Sequence, residues 1–206
     1  MTKSVDQSDT KAEILRAAAV EIADKGWGGL RTRDVADRAG VNKALVHYHY
    51  GSMDNLRLEA VASLMTGVVN EAASVLIEAP TLARGVRAFG EELDRFRSDD
   101  PGSVVLMEAM LHAPRDERLE AMLLRALEFY EEALRQRIET DAKSGRLPDN
   151  VDPSGLATAL TALLDGLVLH AYMRRGVDFR PAAESIADLL EIQGAQEAAM
   201  NSEHQR

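Results

Sequence analysis

Residues Thr32–Leu56 read TRDVADRAGVNKALVHYHYGSMDNL. Thr32 is suited to cap a helix, and Val35, Ala36 and Ala39 follow as a small apolar face at helical spacing. Gly40 supplies a turn where left-handed backbone is needed. Asn42 then caps a second short helix, whose inward positions are Val46 and Tyr50. Its remaining side chains are Lys43, Ala44, Leu45, His47, Tyr48 and His49. Polar donors, small groups and aromatic rings crowded onto a turn and a half suit a groove of bases and phosphates. Ser52 caps a third helix. The stretch is predicted to be a helix-turn-helix with its reading helix at 42–50.

These residues resemble the DNA-binding segment of the tetracycline-repressor (TetR) family of bacterial regulators. The likeness runs from near Thr10 through Gly26-Trp27, Arg33-Asp34-Val35-Ala36, Ala39-Gly40-Val41 and His47-Tyr48-His49-Tyr50-Gly51-Ser52 to Leu56, under a quarter of the chain. It implies an all-α fold of about nine helices. An N-terminal three-helix DNA-binding domain (1–52) would precede a C-terminal ligand-binding and dimerisation domain (53–200), with a frayed tail at 201–206. It also implies which residues meet DNA. Thr32 and Arg33 match positions that contact base or backbone. Asn42 heads the reading helix, and Lys43 reaches a base edge or phosphate. Ala44 and Leu45 touch thymine methyls or permit close approach. His47 stands where the family usually has a phosphate-contacting tyrosine, and Tyr48 and His49 follow at DNA-facing positions. The alternative, packing on the first helix, suits Val46 and Tyr50, whereas for His47 and Tyr48 contact with DNA is the better reading. Relatives usually place a lysine after the Gly-Ser pair, where this chain has Met53. One counterion-releasing charge is therefore missing, and a shallower salt dependence is expected.

A chain of 206 residues can bury a substantial core. Aromatic residues are only 4% and β-rich patterning is absent, which favours helices. The lack of cysteine excludes disulfides, thiolate zinc sites and cysteine nucleophiles. No signal-peptide core is evident at the start, and no apolar run is read as reaching the roughly 18 residues of a membrane span. A cytoplasmic protein without membrane contact is expected. The net charge of −10 is unevenly spread. Residues 1–56 hold equal numbers of acidic and basic side chains, so the whole excess lies in 57–206. An acidic body behind a neutral head orients the approach to DNA.

Thr10-Lys-Ala-Glu13 reads as a capping box opening the first helix. Ile14, Leu15, Ala18, Ala19 and Ile22 form its inner stripe, Gly26 ends it, and Trp27 packs beneath the small domain. A helix after Ser52 carries Leu56, Ala60, Val61, Leu64, Met65 and Val68, and is expected to be the sole covalent link between the domains. The six prolines, at 80, 101, 114, 148, 153 and 181, punctuate the rest. They delimit helices expected at 81–98, 102–113, 116–143, 153–175 and 179–198, with Asp152-Pro153 as cap and first residue of one of them.

Glu108 and His112, near Asp116 and Glu117, have a spacing compatible with a metal, but that spacing is common by chance. A structural histidine is the better reading, and no metal or cofactor is expected. His170 reads as a hydrogen-bonded interface residue. Met65, Phe89, Phe96, Met107, Met110, Met122 and Phe129 read either as ordinary core or as the wall of an adaptable apolar pocket, and the resemblance favours the pocket. Leu156, Leu160, Leu163, Leu167, Ala171, Ala183, Ile186 and Leu190 form a stripe too wide for one chain, and read as half of a four-helix interface with a second copy.

Two functions are weighed. The first is a ligand-responsive, homodimeric repressor on a palindromic double-stranded DNA operator, released by a small hydrophobic effector. The second is a helical enzyme or carboxylate-metal protein that merely carries a helix-turn-helix. No phosphate loop, dinucleotide fingerprint or nucleophile elbow supports the second, so no enzyme is expected.

Overall fold

The structure is a computed structural model describing residues 7–148 and 150–191. Among the described residues it is all-helical, without a strand. The elements are α1 (Gln7–Lys25), α2 (Thr32–Ala39), α3 (Lys43–Tyr50), α4 (Met53–Glu78), α5 (Leu82–Glu92), α6 (Pro101–His112), α7 (Glu117–Lys143) and α8 (Pro153–Met173). A ninth helix, α9, covers 180–191. Short 3-10 turns occupy Trp27–Gly29, Leu93–Arg95 and Ala113–Arg115. The tail at 201–206 and the end of the helix expected to reach 198 lie outside the described residues.

The chain divides into two compact units, 1–67 with 98–124, and 68–97 with 125–206. This division does not follow the 1–52 and 53–200 boundary read from sequence. The chain also passes between the units three times, so α4 is not their sole covalent link. The reason is α6, which packs against α1 and adds Val105 and Ala109 to the core of unit 1. That core is built on Ile14, Ala18 and Ile22 of α1, Val35 and Ala36 of α2, Val46 and Tyr50 of α3, and Leu56, Ala60 and Val61 of α4. α1 is already helical at Gln7, so Thr10 lies inside it, buried, and does not open it as a cap.

Unit 2 buries Leu82, Val86 and Phe89 of α5, Leu134 and Ile138 of α7, Leu160 and Leu164 of α8, and Ala183 and Ala187 of α9. Asp141, almost wholly buried, accepts the Leu82 backbone N–H at 2.7 Å and the Arg137 guanidinium at 2.9 Å, which ties the end of α7 to the start of α5. Arg87 of α5 reaches Glu184, Asp188 and Glu191 at 2.6–2.8 Å and so binds α9 along its length. As expected, Asp152 caps α8, accepting from the N–H groups of Ser154 and Gly155, with Pro153 as first helical residue.

α8 corrects one expectation. At 21 residues and mean hydropathy 1.5 it is long and apolar enough to cross a membrane by length and composition. Within unit 2 it presents Ala157, Leu160, Thr161, Leu164 and Val168 to the core as a helical stripe. The run escapes notice in sequence because Thr, Ser, Asp165 and His170 interrupt it.

Candidate nucleic-acid interface

α2 and α3 meet at a tight turn. Gly40 adopts φ 66°, ψ 28°, a left-handed conformation that lets the Val41 N–H return to the Ala36 carbonyl at 3.0 Å. Asn42 opens α3 by accepting the Leu45 N–H on its side chain at 2.9 Å. Gly51 closes it at φ 69°, and the Ser52 hydroxyl accepts the Asn55 N–H at the head of α4. Both caps fall where the sequence places them. Thr32 does not act as a cap. It is the first helical residue of α2, after Arg31, and its hydroxyl donates to the Met53 sulfur at 3.1 Å.

The inward side of α3 is anchored at two points. Val46 is 2% exposed and Tyr50 4%. The Tyr50 hydroxyl donates to the Lys11 carbonyl at 3.0 Å, and burial, reinforced by Glu59, pushes its pKa up to about 12. The other side stands in solvent. Asn42, Lys43, Ala44, His47 and Tyr48 are exposed, and Leu45 and His49 are half-buried. Tyr48 is 74% exposed, with only the edge of His49 against its ring at 5.2 Å. A tyrosine held in water on a rigid helix serves no core. On α2, Arg33 is exposed and loosely paired with Asp37 at 3.5 Å, while Thr32 is half-buried.

The residues that hold these helices in place were not legible as functional in the sequence. Glu21 of α1 is buried, yet it receives Lys25 at 2.6 Å and Arg38 of α2 at 2.6 Å. Arg38 also reaches Asp24, and Lys25 also reaches Asp34. Burial pushes the Glu21 carboxyl up, but Lys25 and Arg38 outweigh it and hold it below the usual range. This cluster fixes α2, and through the turn α3, against α1. Only the Glu21-Lys25 spacing of four was a sequence signal; Arg38 joins by tertiary packing.

Met53 is half-buried and packed on the unit 1 core. Glu108 and His112 have structural partners. Glu108 accepts the Trp27 backbone N–H at 3.0 Å, and the His112 ring stacks on Trp27 at 5.3 Å. They fasten α6 to the 3-10 turn that follows α1. Among the described residues no group of three or more His, Asp or Glu side chains is arranged to hold a metal.

The residues expected to line a pocket fall in both units. Met65, Met107, Met110 and Met122 belong to unit 1, and Phe89, Phe96 and Phe129 to unit 2. Met65 and Met122 pack on the unit 1 core, Phe89 is buried in unit 2, and Met110 and Phe129 are exposed. The expected dimer stripe also divides. Leu160 and Ala183 are buried in their own chain and cannot meet a second copy. A 3.6-residue period marks both a helix's inward face and its partner-facing flank, and sequence cannot separate the two. Leu163 is exposed, whereas Leu156, Leu167, Ala171, Ile186 and Leu190 are half-buried. Leu169, Met173 and Leu189, not singled out from sequence, are exposed.

An all-helical chain that braces a short, exposed, ring-bearing helix behind a glycine turn has the form of a helix-turn-helix regulator. Comparison with known proteins gives the family. Residues 14–60 match the bacterial regulatory proteins of the tetR family, and residues 82–194 match the BetI-type transcriptional repressor C-terminal domain. The chain belongs to the TetR family of transcriptional regulators, with a C-terminal part of the BetI type. It is 28% identical over 184 residues to the HTH-type transcriptional regulator BetI of Agrobacterium fabrum, covering 87% of this chain and 85% of that one. Its fold is that of a transcriptional regulator from Pseudomonas aeruginosa (TM-score 0.77, 20% identity, 98% of this chain and 99% of that one). It is likewise similar to a transcriptional regulator from Saccharomonospora viridis solved in complex with choline (TM-score 0.73, 21% identity, 88% and 94%). Members of this family are regulators, not enzymes.

Proposed function

We propose that the chain is a homodimeric repressor whose two copies of α3 enter successive major grooves, about 34–36 Å apart, on a near-palindromic operator. Thr32, Arg33, Asn42, Lys43, Ala44, Leu45, His47, Tyr48 and His49 form the contact face. The observation that carries this reading is Tyr48, held in solvent on the same short helix as the exposed Lys43 and His47, while Val46 and Tyr50 anchor that helix from behind. Exposed Leu163, Leu169 and Met173 of α8 and Leu189 of α9 support pairing with a second copy. The Saccharomonospora viridis complex with choline supports a small organic molecule as effector. Bound in the C-terminal part, a mainly apolar effector would favour a conformer whose reading helices no longer match the operator. Complete switching requires about 5.5 kcal/mol of differential affinity between the two conformers. Such a repressor works in the cytoplasm, where its operator is.

Fluorescence anisotropy with DNA from upstream of its own gene tests the reading. Salt-sensitive, sequence-specific binding that is lost in the double variant Lys43→Ala/Tyr48→Ala supports it. Full binding by that variant would remove the assigned face.

A further inference from the structure

Unit 2 holds a cavity of about 230 Å³ between the start of α5, the turn that follows α7, and Leu190-Glu191 of α9. Leu82, Ala83, Leu147 and Leu190 supply its apolar wall, and Thr81, Asp141, Arg146 and Glu191 its polar groups. An apolar wall with a few placed polar groups is the make-up of a small-molecule site. At roughly 30 Å³ for each water-sized group, the volume admits about eight non-hydrogen atoms. Arg146 and Glu191 are exposed, so the cavity can be reached from solvent.

The charged groups differ in what they leave free. Asp141 already accepts from three residues, the Leu82 backbone N–H at 2.7 Å, Arg137 at 2.9 Å and Arg146 at 3.2 Å. One carboxylate thus answers two guanidinium groups. Glu191 is engaged on both oxygens by Arg87, at 2.7 and 3.1 Å. Arg146 is the group with capacity left. Its Nε and Nη2 share a single Asp141 oxygen at 3.2 Å each, and its Nη1 is unengaged among the described residues. The Thr81 hydroxyl accepts the Arg84 N–H at 3.2 Å and keeps its own hydrogen to donate. On the α9 side Arg87 also serves Glu184 and Asp188, which leaves that side acidic.

We propose that this cavity binds a small organic monocarboxylate with a short apolar body. Its carboxylate takes the free donors of Arg146 and the Thr81 hydroxyl, and its body lies on Leu82, Leu147 and Leu190. The guanidinium fork matches a carboxylate in shape and charge. A cation would have to displace arginine from Asp141 or Glu191 to find a partner. A dianion would carry its second charge toward the acidic α9 side, so a single negative charge fits best. The site rests on unit 2 alone, and neither operator binding nor the apolar effector enters the argument.

Isothermal titration of the full-length protein, without DNA, with sodium hexanoate, n-hexanol and the six-carbon dicarboxylate adipate tests this. Hexanoate is expected to bind saturably, once per chain. n-Hexanol and adipate should each be weaker by about tenfold or more, the first for want of a charge-assisted hydrogen bond. Arg146→Gln should weaken hexanoate about tenfold and leave n-hexanol as it was, with circular dichroism confirming the fold. Leu190→Trp, which narrows the cavity from its half-buried wall, should weaken both. Hexanoate no tighter than n-hexanol or adipate, hexanoate affinity unchanged in Arg146→Gln, or no saturable binding would overturn the site. The comparison of the three probes needs no variant, so it decides the matter even where a substitution disturbs folding.

Discussion

Tyr48 carries most of the functional weight placed on any one residue. Its ring touches little of its own chain, so Tyr48→Ala should shift Tm by under about 2 °C, since exposed positions change stability by roughly 0.5 kcal/mol or less. Operator affinity, measured by anisotropy, should fall about tenfold or more for a lost charge-assisted or stacking contact. Met53 makes the opposite kind of prediction. It sits at the head of α4, where free N–H groups favour an anion, but it brings no charge. Met53→Lys should steepen the dependence of log K on log salt by about 0.9 and tighten binding at low salt. It also removes the sulfur that accepts the Thr32 hydroxyl. An unchanged slope across a salt series would separate Met53 from the phosphate backbone. At Asp165 the prediction concerns pH. Its carboxyl is raised to about 6 from the ordinary 3.8, so the folded state favours the neutral form and ionisation opposes folding. Asp165→Asn should therefore raise Tm at pH 7–8, by an amount that shrinks to nothing as pH falls below about 4.

Among the elements, the contact between α1 and α2 determines how firmly the reading helix is held. Glu21 is buried between Lys25 and Arg38, and their proximity holds its pKa below the ordinary carboxylate value despite the opposing effect of burial. A depressed carboxylate contributes stability that is present above its unfolded pKa, near 4.5, and is lost as pH falls through the lower folded value. Glu21→Gln should cost about 1–3 kcal/mol at neutral pH in denaturant melts and remove this acid-sensitive part of the curve. In unit 2 the approach of α5 to α9 is closer still. A Cβ at Gly90 would meet the Ala183 Cβ at 2.6 Å. Replacing a mid-helix glycine by alanine gains about 0.5–1 kcal/mol of helix propensity, while overpacking costs about 1–3 kcal/mol. The clash wins, and Gly90→Ala should lower Tm.

For the whole molecule, the net charge of −10 and pI near 5.0 would suit many proteins that never meet DNA. Residues 1–56 are neutral overall, so attraction to a phosphate backbone rests on a few side chains. The apolar residues that α8 and α9 leave in solvent belong to this scale as well. Leu163 is 51% exposed and Leu189 65%. In the proposed dimer, burying a charge without a partner is strongly unfavourable. The double variant Leu163→Arg/Leu189→Arg should sediment as a monomer and lose operator affinity with little change in helix content. A dimer that survives it would place the interface elsewhere.

The helix-turn-helix was legible because its signals are local. Gly40 needs positive φ, Asn42 and Ser52 cap within three residues, and Val46 and Tyr50 mark the inner face of one short helix. Such features depend on neighbours along the chain, and so the amino-acid sequence by itself determined the all-helical class, the reading helix and its solvent face. The tertiary structure alone decided that α6 belongs beside α1, that Arg38 completes the shell around Glu21, and that Leu160 and Ala183 are core rather than interface. These outcomes join residues far apart in the chain, and apolar periodicity states which face of a helix is buried without stating what buries it.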